Sequence, residues 1–484
     1  VGRSEGTSTN KHKYRNTETQ TQNRVTMISV YRYTFRSSSL HGHQATRLTT
    51  TTTTWKTVTR SWSSSSPTLT STSTSTSNNN DGIHKFNNVS QSSLDTVKAT
   101  LPLVGQAGAK FTTHFYKRMF EAHPTLLNVF NQTNQELGGQ PRKLLKTVAV
   151  AAQCAVETGE LPVEAIEGIC HKHAALGVTP EQYSVVGEHL LGTIEDLLTD
   201  DPTVLNAWGE LYGDIASVFM EREASIKDQA TNQKGGWAGK RTFFLEKKQP
   251  LSNLITRFRF RPVDGQPVPQ FTPGQYTTVW APVNEEGIYG NYTQAPRHYT
   301  LNWSSNPEDG DPHSSLSISV KRQGLVSRAL HDAQVGTEWE LSAPFGCFDL
   351  SGVEKLWLSE LDAPIVMFSA GIGITPVLSM LESIYTTRPT TWLHGSENGD
   401  HHAYRDRLRE ISAIRSGDLR RRVWYTNPTT QDGVAGSNEV PLSPMWNLAK
   451  YHYEGRMDIN SPLLDKECLH LDNDLAQYYM CGPP

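Results

Sequence analysis

Acidic residues are missing from one whole region of the chain: between Met27 and Asn80 there is not one Asp or Glu. Cysteine is sparse as well. The five present, Cys154, Cys170, Cys347, Cys468 and Cys481, form neither a CxxC nor a CxxCH pattern. This argues against a disulfide scaffold, a cysteine zinc site and a cysteine-linked prosthetic group, and for a reducing compartment. No uninterrupted apolar run reaches membrane-spanning length, so no transmembrane segment is expected. Charge of one sign is lacking too. With 45 basic against 49 acidic residues the net charge is -4, too small a field to suggest nucleic acid as a partner. Hydrophobic residues make up only 36%, which means that a sizeable part of the chain packs no core; the deficit sits at the N-terminus.

The acid-free stretch is a run of Ser and Thr punctuated by Arg32, Arg36, Arg47, Lys56 and Arg60. A basic, hydroxyl-rich leader of this kind suits import into the mitochondrial matrix; the other readings are a disordered polar tail or a misplaced gene start, with the cytoplasm as the compartment. Val1 is not an initiator, and Met27 is the better start. Residues 1–91 are therefore expected to form a leader without a core.

The remainder is too long for one ordinary core, so two or three domains are expected. SSLDTVKATLPL offers a Ser cap before Leu94, Val97 and Leu101 at helical spacing, so that order begins near Ser92. From there to Lys227 the periodic segments read as helix. AKFTTHFYKRMF puts Phe111, Phe115 and Met119 on one stripe, TPEQY starts a helix capped by Thr179 with Gln182 three residues on, and a last helix runs over 204–226. A Gly-rich joint, 228–236, ends the helical domain of 92–227. Over 237–350, short β-branched and aromatic runs such as TPGQYTTVW and SSLSISVKR predict a β-barrel. Over 351–484, apolar strands such as PIVMFSAG alternate with helices, as in βα units on a mainly parallel sheet.

Two histidines of the helical domain could serve as a metal ligand. His173 lies on the stripe of Ile166, Ile169 and Cys170, whereas His171 projects with Glu167 and Gly168. A haem iron needs one neutral imidazole on an apolar helix face, although such a His can also be a hydrogen-bonded core residue. Glu223, spaced after Phe219 and Met220, aims a carboxylate at an apolar face, where it could fix the imidazole tautomer; the alternative is a solvated helix end.

The segments TVKATLPLVGQAGAKFTTHFYKRMF, NVFNQTNQ, QPRKLL, CHKH, TPEQYSVVGEHLL and EREASI occur in order over 96–226 and resemble the globin domain of flavohaemoglobins. That resemblance implies His173 as the proximal ligand of haem b, Tyr183 and Glu223 as its hydrogen-bonding partners, and Phe130 as an aromatic wedge against the haem. It places Tyr116, Gln140 and Leu144 on the distal side, where a phenol can stabilise partial negative charge on a bound gas. Pro141 biases Gln140 away from helical dihedrals, so an irregular spacing between Gln140 and Leu144 is expected.

In APRHYTLN, Arg297 and Tyr299 fall on one face of a strand, next to Thr300. The Arg-x-Tyr-Thr run resembles the FAD signature of ferredoxin-reductase-like enzymes, which implies Arg297 on the pyrophosphate, Tyr299 on the isoalloxazine and Thr300 hydrogen-bonded to the ring. Gly324 and Ser327 lead into GLVSRALHD, whose first backbone N–H groups can bind pyrophosphate oxygens. In FSAGIGITPVLSML a strand runs into Gly371, Gly373, Thr375 and Pro376, where glycines permit close approach and Pro376 can open a helix facing phosphates. This resembles the Gly-x-Gly-x-Thr-Pro of NAD(P)H domains, with Cys481, Gly482 and Pro483 as its later companion.

The family continues beyond the position of Pro484 with a helix, a strand and a terminal aromatic, so a truncated nicotinamide domain is expected. As a whole the resemblance implies a eukaryotic, monomeric enzyme of three parts, in which NADH or NADPH reduces FAD, FAD passes electrons to haem, and nitric oxide is oxidised by oxygen to nitrate. A gas sensor or oxygen store whose reductase only keeps the iron ferrous is the competing reading, and a haem-free flavin reductase a third. The choice between NADH and NADPH stays open.

Overall fold

The computed structural model describes residues 29–34, 82–130, 139–287, 289–302, 313–350, 363–384, 388–415, 418–433, 450–461, 464, 466–473 and 475–483. Among the described residues the first domain is built of helices α1 (Gln91–Ala122), α2 (Gly139–Glu157), α3 (Glu164–Leu176), α4 (Pro180–Leu197) and α5 (Pro202–Asn232). Helix α1 starts two residues earlier than a Ser92 cap would give, because Ser90 accepts the N–H of Ser93. Its buried Val97, Val104, Phe111, Phe115 and Met119 follow one stripe. A kink at Gly108, with φ 50, bends it midway. Thr179 caps α4 as expected, with its own N–H donated back to Gln182 Oε1 at 3.2 Å. Helix α5 is longer than expected. Capped by Asp201, it runs to Asn232 and takes up the first part of the anticipated 228–236 linker.

The second domain is a six-stranded antiparallel sheet of β4 (Lys240–Pro250), β5 (Ile255–Pro262), β6 (Tyr276–Gly287), β7 (Gly290–Thr300), β8 (Leu316–Lys321) and β9 (Glu338–Ser342). Its order is β7-β6-β9-β4-β5-β8, and a bridge between Leu301 and Ile318 brings the two ends together, so the sheet closes into the expected barrel. Helix α6 (Leu325–Asp332) packs on β6 and β7.

In the third domain β10 (Ile365–Ala370), β11 (Thr390–Ser396), β12 (Leu419–Tyr425), β13 (Tyr453–Glu454) and β14 (Gln477–Gly482) run parallel in the order β14-β10-β11-β12-β13, with α7 (Ile374–Ser383) and α8 (Arg405–Ile414) between strands. Two findings depart from the reading of 1–91 as a disordered leader: Phe86 and Val89 are buried in the apolar cluster of the helical domain, and a strand forms further upstream. Ser29–Thr34 form strand β1 and pair antiparallel with β14, Ser29 opposite Gly482 and Thr34 opposite Gln477. Strand β14 is thus paired on both sides, by β10 and by β1. Strand β2 (Ile83–Lys85), ahead of α1, pairs antiparallel with β3 (Glu160–Pro162), which lies between α2 and α3.

The helical core does not stop at the domain boundary seen in the sequence. Ala343 and Phe345 of the barrel belong to the same apolar cluster as Phe120, Leu127 and Phe219, and Tyr276, Tyr289 and Tyr292 pack against it. Among the described residues no helix is long and apolar enough to cross a membrane.

Candidate active site

Helices α3, α4 and α5 converge on His173. Its Nδ1–H donates to Glu223 Oε1 at 2.8 Å, the Tyr183 hydroxyl lies 2.9 Å from the same nitrogen, and that hydroxyl also donates to Glu223. Glu223 is buried, at 2%, so its charge requires these partners. Burial, and then the Glu223 carboxylate, push the Tyr183 phenol well above its ordinary pKa, so it stays a donor. With Nδ1 committed to the carboxylate, Nε2 is the nitrogen left to bind a metal. The imidazole side chain stays 33% exposed although its stripe packs on the core, which leaves that nitrogen room for a large planar group.

Across the same cluster lies Tyr116, 2% exposed and held by rings on three sides: stacked on Phe120 at 5.6 Å, edge-on to Phe115 at 5.0 Å and to Phe130 at 5.8 Å. Leu144 and Phe130 are partly buried against this cluster. Tyr116, Phe130, Leu144, Tyr183 and His173 are thereby brought to one apolar interior. Gln140 lies in the first turn of α2, and its side chain is outside the described residues. The irregular backbone expected at Pro141 is not found, because Pro141 also falls in that first turn, where its missing N–H costs no hydrogen bond.

On the barrel, Arg297 and Tyr299 lie along β7, opposite Val279 and Thr277 of β6. Arg297 sits in a largely desolvated place that lowers its pKa, and its guanidinium donates to the neighbouring Pro296 carbonyl at 2.7 Å. No carboxylate pairs with it among the described residues, so a guanidinium waits beside Tyr299 for an anion, which fits a pyrophosphate. Thr300 ends the strand. Gly324 caps α6, and the Ser327 hydroxyl accepts the N–H groups of Gln323 and Gly324 at 2.9 and 2.8 Å. Ser327 therefore shapes this turn, and what remains for an anion is the N–H groups of the first helical turn.

In the third domain Gly371 adopts φ 51 and starts the tight turn into α7. Gly373 is packed so closely on β14 that a Cβ there would lie 2.1 Å from the Cys481 carbonyl oxygen and 2.8 Å from the Gly482 nitrogen. The two glycine motifs are thus one site. Thr375 donates to the Ile372 carbonyl at 3.0 Å, closing the turn, and Pro376 lies in the first turn of α7. Burial pushes the Cys481 thiol up to about 12, so it is no nucleophile; Pro483 next to it is exposed. From α7, Ser379 donates to the Leu301 carbonyl at 3.3 Å, so the dinucleotide helix touches the chain one residue beyond the flavin strand.

Several contacts between domains escaped the sequence reading. Asn128 Oδ1 accepts the N–H groups of Thr293 and Gln294 in β7, at 2.8 and 3.0 Å. His171, set aside as wrong-faced, accepts the Gly346 N–H at 3.0 Å. The signal for His171 was its spacing four residues after Glu167, but its partner lies in another domain.

Comparison with known proteins agrees with this three-part organisation. The globin family matches residues 113–219, the oxidoreductase FAD-binding domain 242–350 and the oxidoreductase NAD-binding domain 367–484. A flavohemoprotein of Rhizobium meliloti is 38% identical over 410 residues, covering 82% of this chain and 92% of its own. The crystal structure of a flavohemoglobin from Malassezia yamatoensis with bound FAD and heme superposes with a TM-score of 0.63 at 25% identity, over 77% of this chain and 89% of that one. The cofactors are haem, FAD and a nicotinamide dinucleotide, and the chain belongs to the flavohemoprotein family of oxidoreductases.

Proposed function

We propose that this oxidoreductase is a nitric oxide dioxygenase that converts nitric oxide and oxygen to nitrate with electrons from NADH or NADPH. The observation that carries the reading is the ring of contacts on His173: a buried carboxylate and a phenol hold its Nδ1, while Tyr116 stands as a buried donor in the same apolar interior. Haem, when bound, supplies the gas-binding iron and takes single electrons. Glu223 keeps the proton on Nδ1, which raises the basicity of Nε2 as a ligand. Tyr116 donates a hydrogen bond toward a polarised gas molecule, Leu144 narrows the space beside it, and Phe130 fills one wall. Arg297 and the start of α6 hold the flavin phosphates, and the Gly371–Gly373 turn admits the dinucleotide to the start of α7.

The test is turnover. Purified protein loaded with both cofactors should consume nitric oxide, oxygen and NAD(P)H together and release nitrate. Gas binding without steady NAD(P)H consumption would leave a sensor or oxygen store instead. We also propose delivery of the protein to mitochondria, supported by the acid-free, Arg-punctuated stretch between Met27 and Asn80. A reporter carrying that stretch should enter the organelle, and Arg32, Arg36 and Arg47 changed to Glu should keep it in the cytosol.

A further inference from the structure

His171 and His173 sit two residues apart on α3, yet they serve opposite sides of it. His173 faces the haem-side interior. The His171 imidazole, 14% exposed, spans a domain boundary: its Nδ1 accepts the backbone N–H of Gly346 in the barrel, and its Nε2–H donates to Glu167 Oε1 at 3.2 Å. Because a backbone N–H can only donate, the proton of this neutral imidazole must lie on Nε2. Arg222 of α5 grips the same Glu167 with two bonds, Nε to Oε2 at 2.7 Å and Nη2 to Oε1 at 2.6 Å. Burial alone would raise the Glu167 pKa, but the bonds from Arg222 and His171 outweigh it and hold the carboxyl down to about 2.

Helices α3 and α5 are therefore tied twice, by neighbouring residues. Glu223 to His173 is the inner tie and Arg222 to Glu167 the outer one. The outer tie is the one that reaches the flavin domain. Gly346 has φ 122, and its open side is covered by the ring of Tyr276, 3.0 Å from where a Cβ would stand. The Tyr276 ring in turn lies 4.8 Å from that of His298, between Arg297 and Tyr299 of the flavin strand. One unbroken line of contacts leads from the proximal helix to that strand.

We propose that His171 is a positioning residue for electron transfer from flavin to haem, because it docks the helix bearing His173 onto the Gly346 turn and so fixes the separation of the two cofactor sites. This rests on the electron path of the family and not on which gas is the substrate. The neighbouring Asn128 contact on β7 makes a second point of docking, so the loss of His171 loosens the interface without freeing it.

The experiment compares His171→Ala and His171→Asn with the parent chain, full length and loaded with both cofactors. Asn keeps an acceptor at the reach of Nδ1; Ala does not. After anaerobic mixing with NADH, bleaching of the flavin should be unchanged in both variants, whereas reduction of the haem should slow several-fold in Ala, the scale on which electron tunnelling falls off when two cofactors move apart by an ångström, and recover in Asn. Independently of turnover, the Gly346 amide should exchange hydrogen faster in Ala than in the parent or Asn proteins, with or without cofactors bound. Unchanged haem reduction in His171→Ala overturns the proposal, even if Gly346 exchanges faster, since the contact is then only adhesive. Equal slowing of flavin bleaching and haem reduction overturns it too, because the defect then lies upstream. Should His171→Ala not fold, Glu167→Ala removes the anchor from the other side, and an unaltered haem step in that protein counts against the proposal equally. A parent protein whose haem is not reduced by NADH at all would sink the electron path itself, and this inference with it.

Discussion

The proximal side of the globin and the dinucleotide turn of the third domain solve the problem of holding a cofactor by opposite means. Around His173 the work is done by side chains: a buried carboxylate, a phenol and an imidazole, each supplied by a different helix and satisfied by the other two. At Gly373 it is done by a side chain that is missing, so that the turn before α7 can meet the backbone of β14. A network of side chains can lose one member and remain partly bound. A backbone contact at 2.1 Å from a would-be Cβ has no partial version.

That contrast can be broken most sharply at Gly373. Gly373→Ala should push the α7 turn away from Cys481 and lower NAD(P)H oxidation by about a hundredfold. The haem spectrum after chemical reduction should stay normal, and a variant that oxidises NAD(P)H at the parental rate would show that the close approach is dispensable. Glu223→Gln comes next. It keeps the shape of the inner tie but removes its charge, and losses of roughly 10- to 100-fold in haem retention are expected, read by transfer to a competing apoprotein. Tyr116→Phe tests the distal donor within an intact ring cluster. Oxygen should escape about tenfold faster, a single charge-assisted hydrogen bond, while carbon monoxide changes little; equal shifts for both gases would refute the polar role. The smallest effect is expected at the domain interface. Asn128→Ala leaves two strand N–H groups of β7 to water and should lower the unfolding free energy by about 1 kcal/mol in a denaturant titration, with both cofactor spectra intact.

Legibility in the sequence followed the same divide. His173 could be separated from His171 by the stripe of Ile166, Ile169 and Cys170, and Glu223 by its place after Phe219, because periodicity along one helix is a local property. The Thr179 cap was equally local. Contacts that join distant stretches were not readable. Nothing near Asn128, His171 or Glu167 announces β7 or Gly346, and the pairing of Ser29–Thr34 with β14 joins a polar leader to the far end of the chain. Boundaries slipped for a related reason: α5 continues to Asn232 because its Ala230 is still covered by the globin cluster, so tertiary packing extends a helix where composition suggested a joint.

The shared cluster at Ala343 and Phe345 has a practical meaning for anyone who wishes to study one half alone. Cutting the chain between α5 and β4 follows the sequence but runs against the grain of the protein. The released globin would carry Phe120 and Leu127 without the rings that cover them, and the released reductase would present Phe345, Tyr289 and Tyr292 as a greasy scar. Both pieces would tend to self-associate, and their solubility would be the first casualty of the dissection. A globin fragment that behaves well needs its former docking face repainted with polar residues before its gas chemistry can be compared with that of the whole.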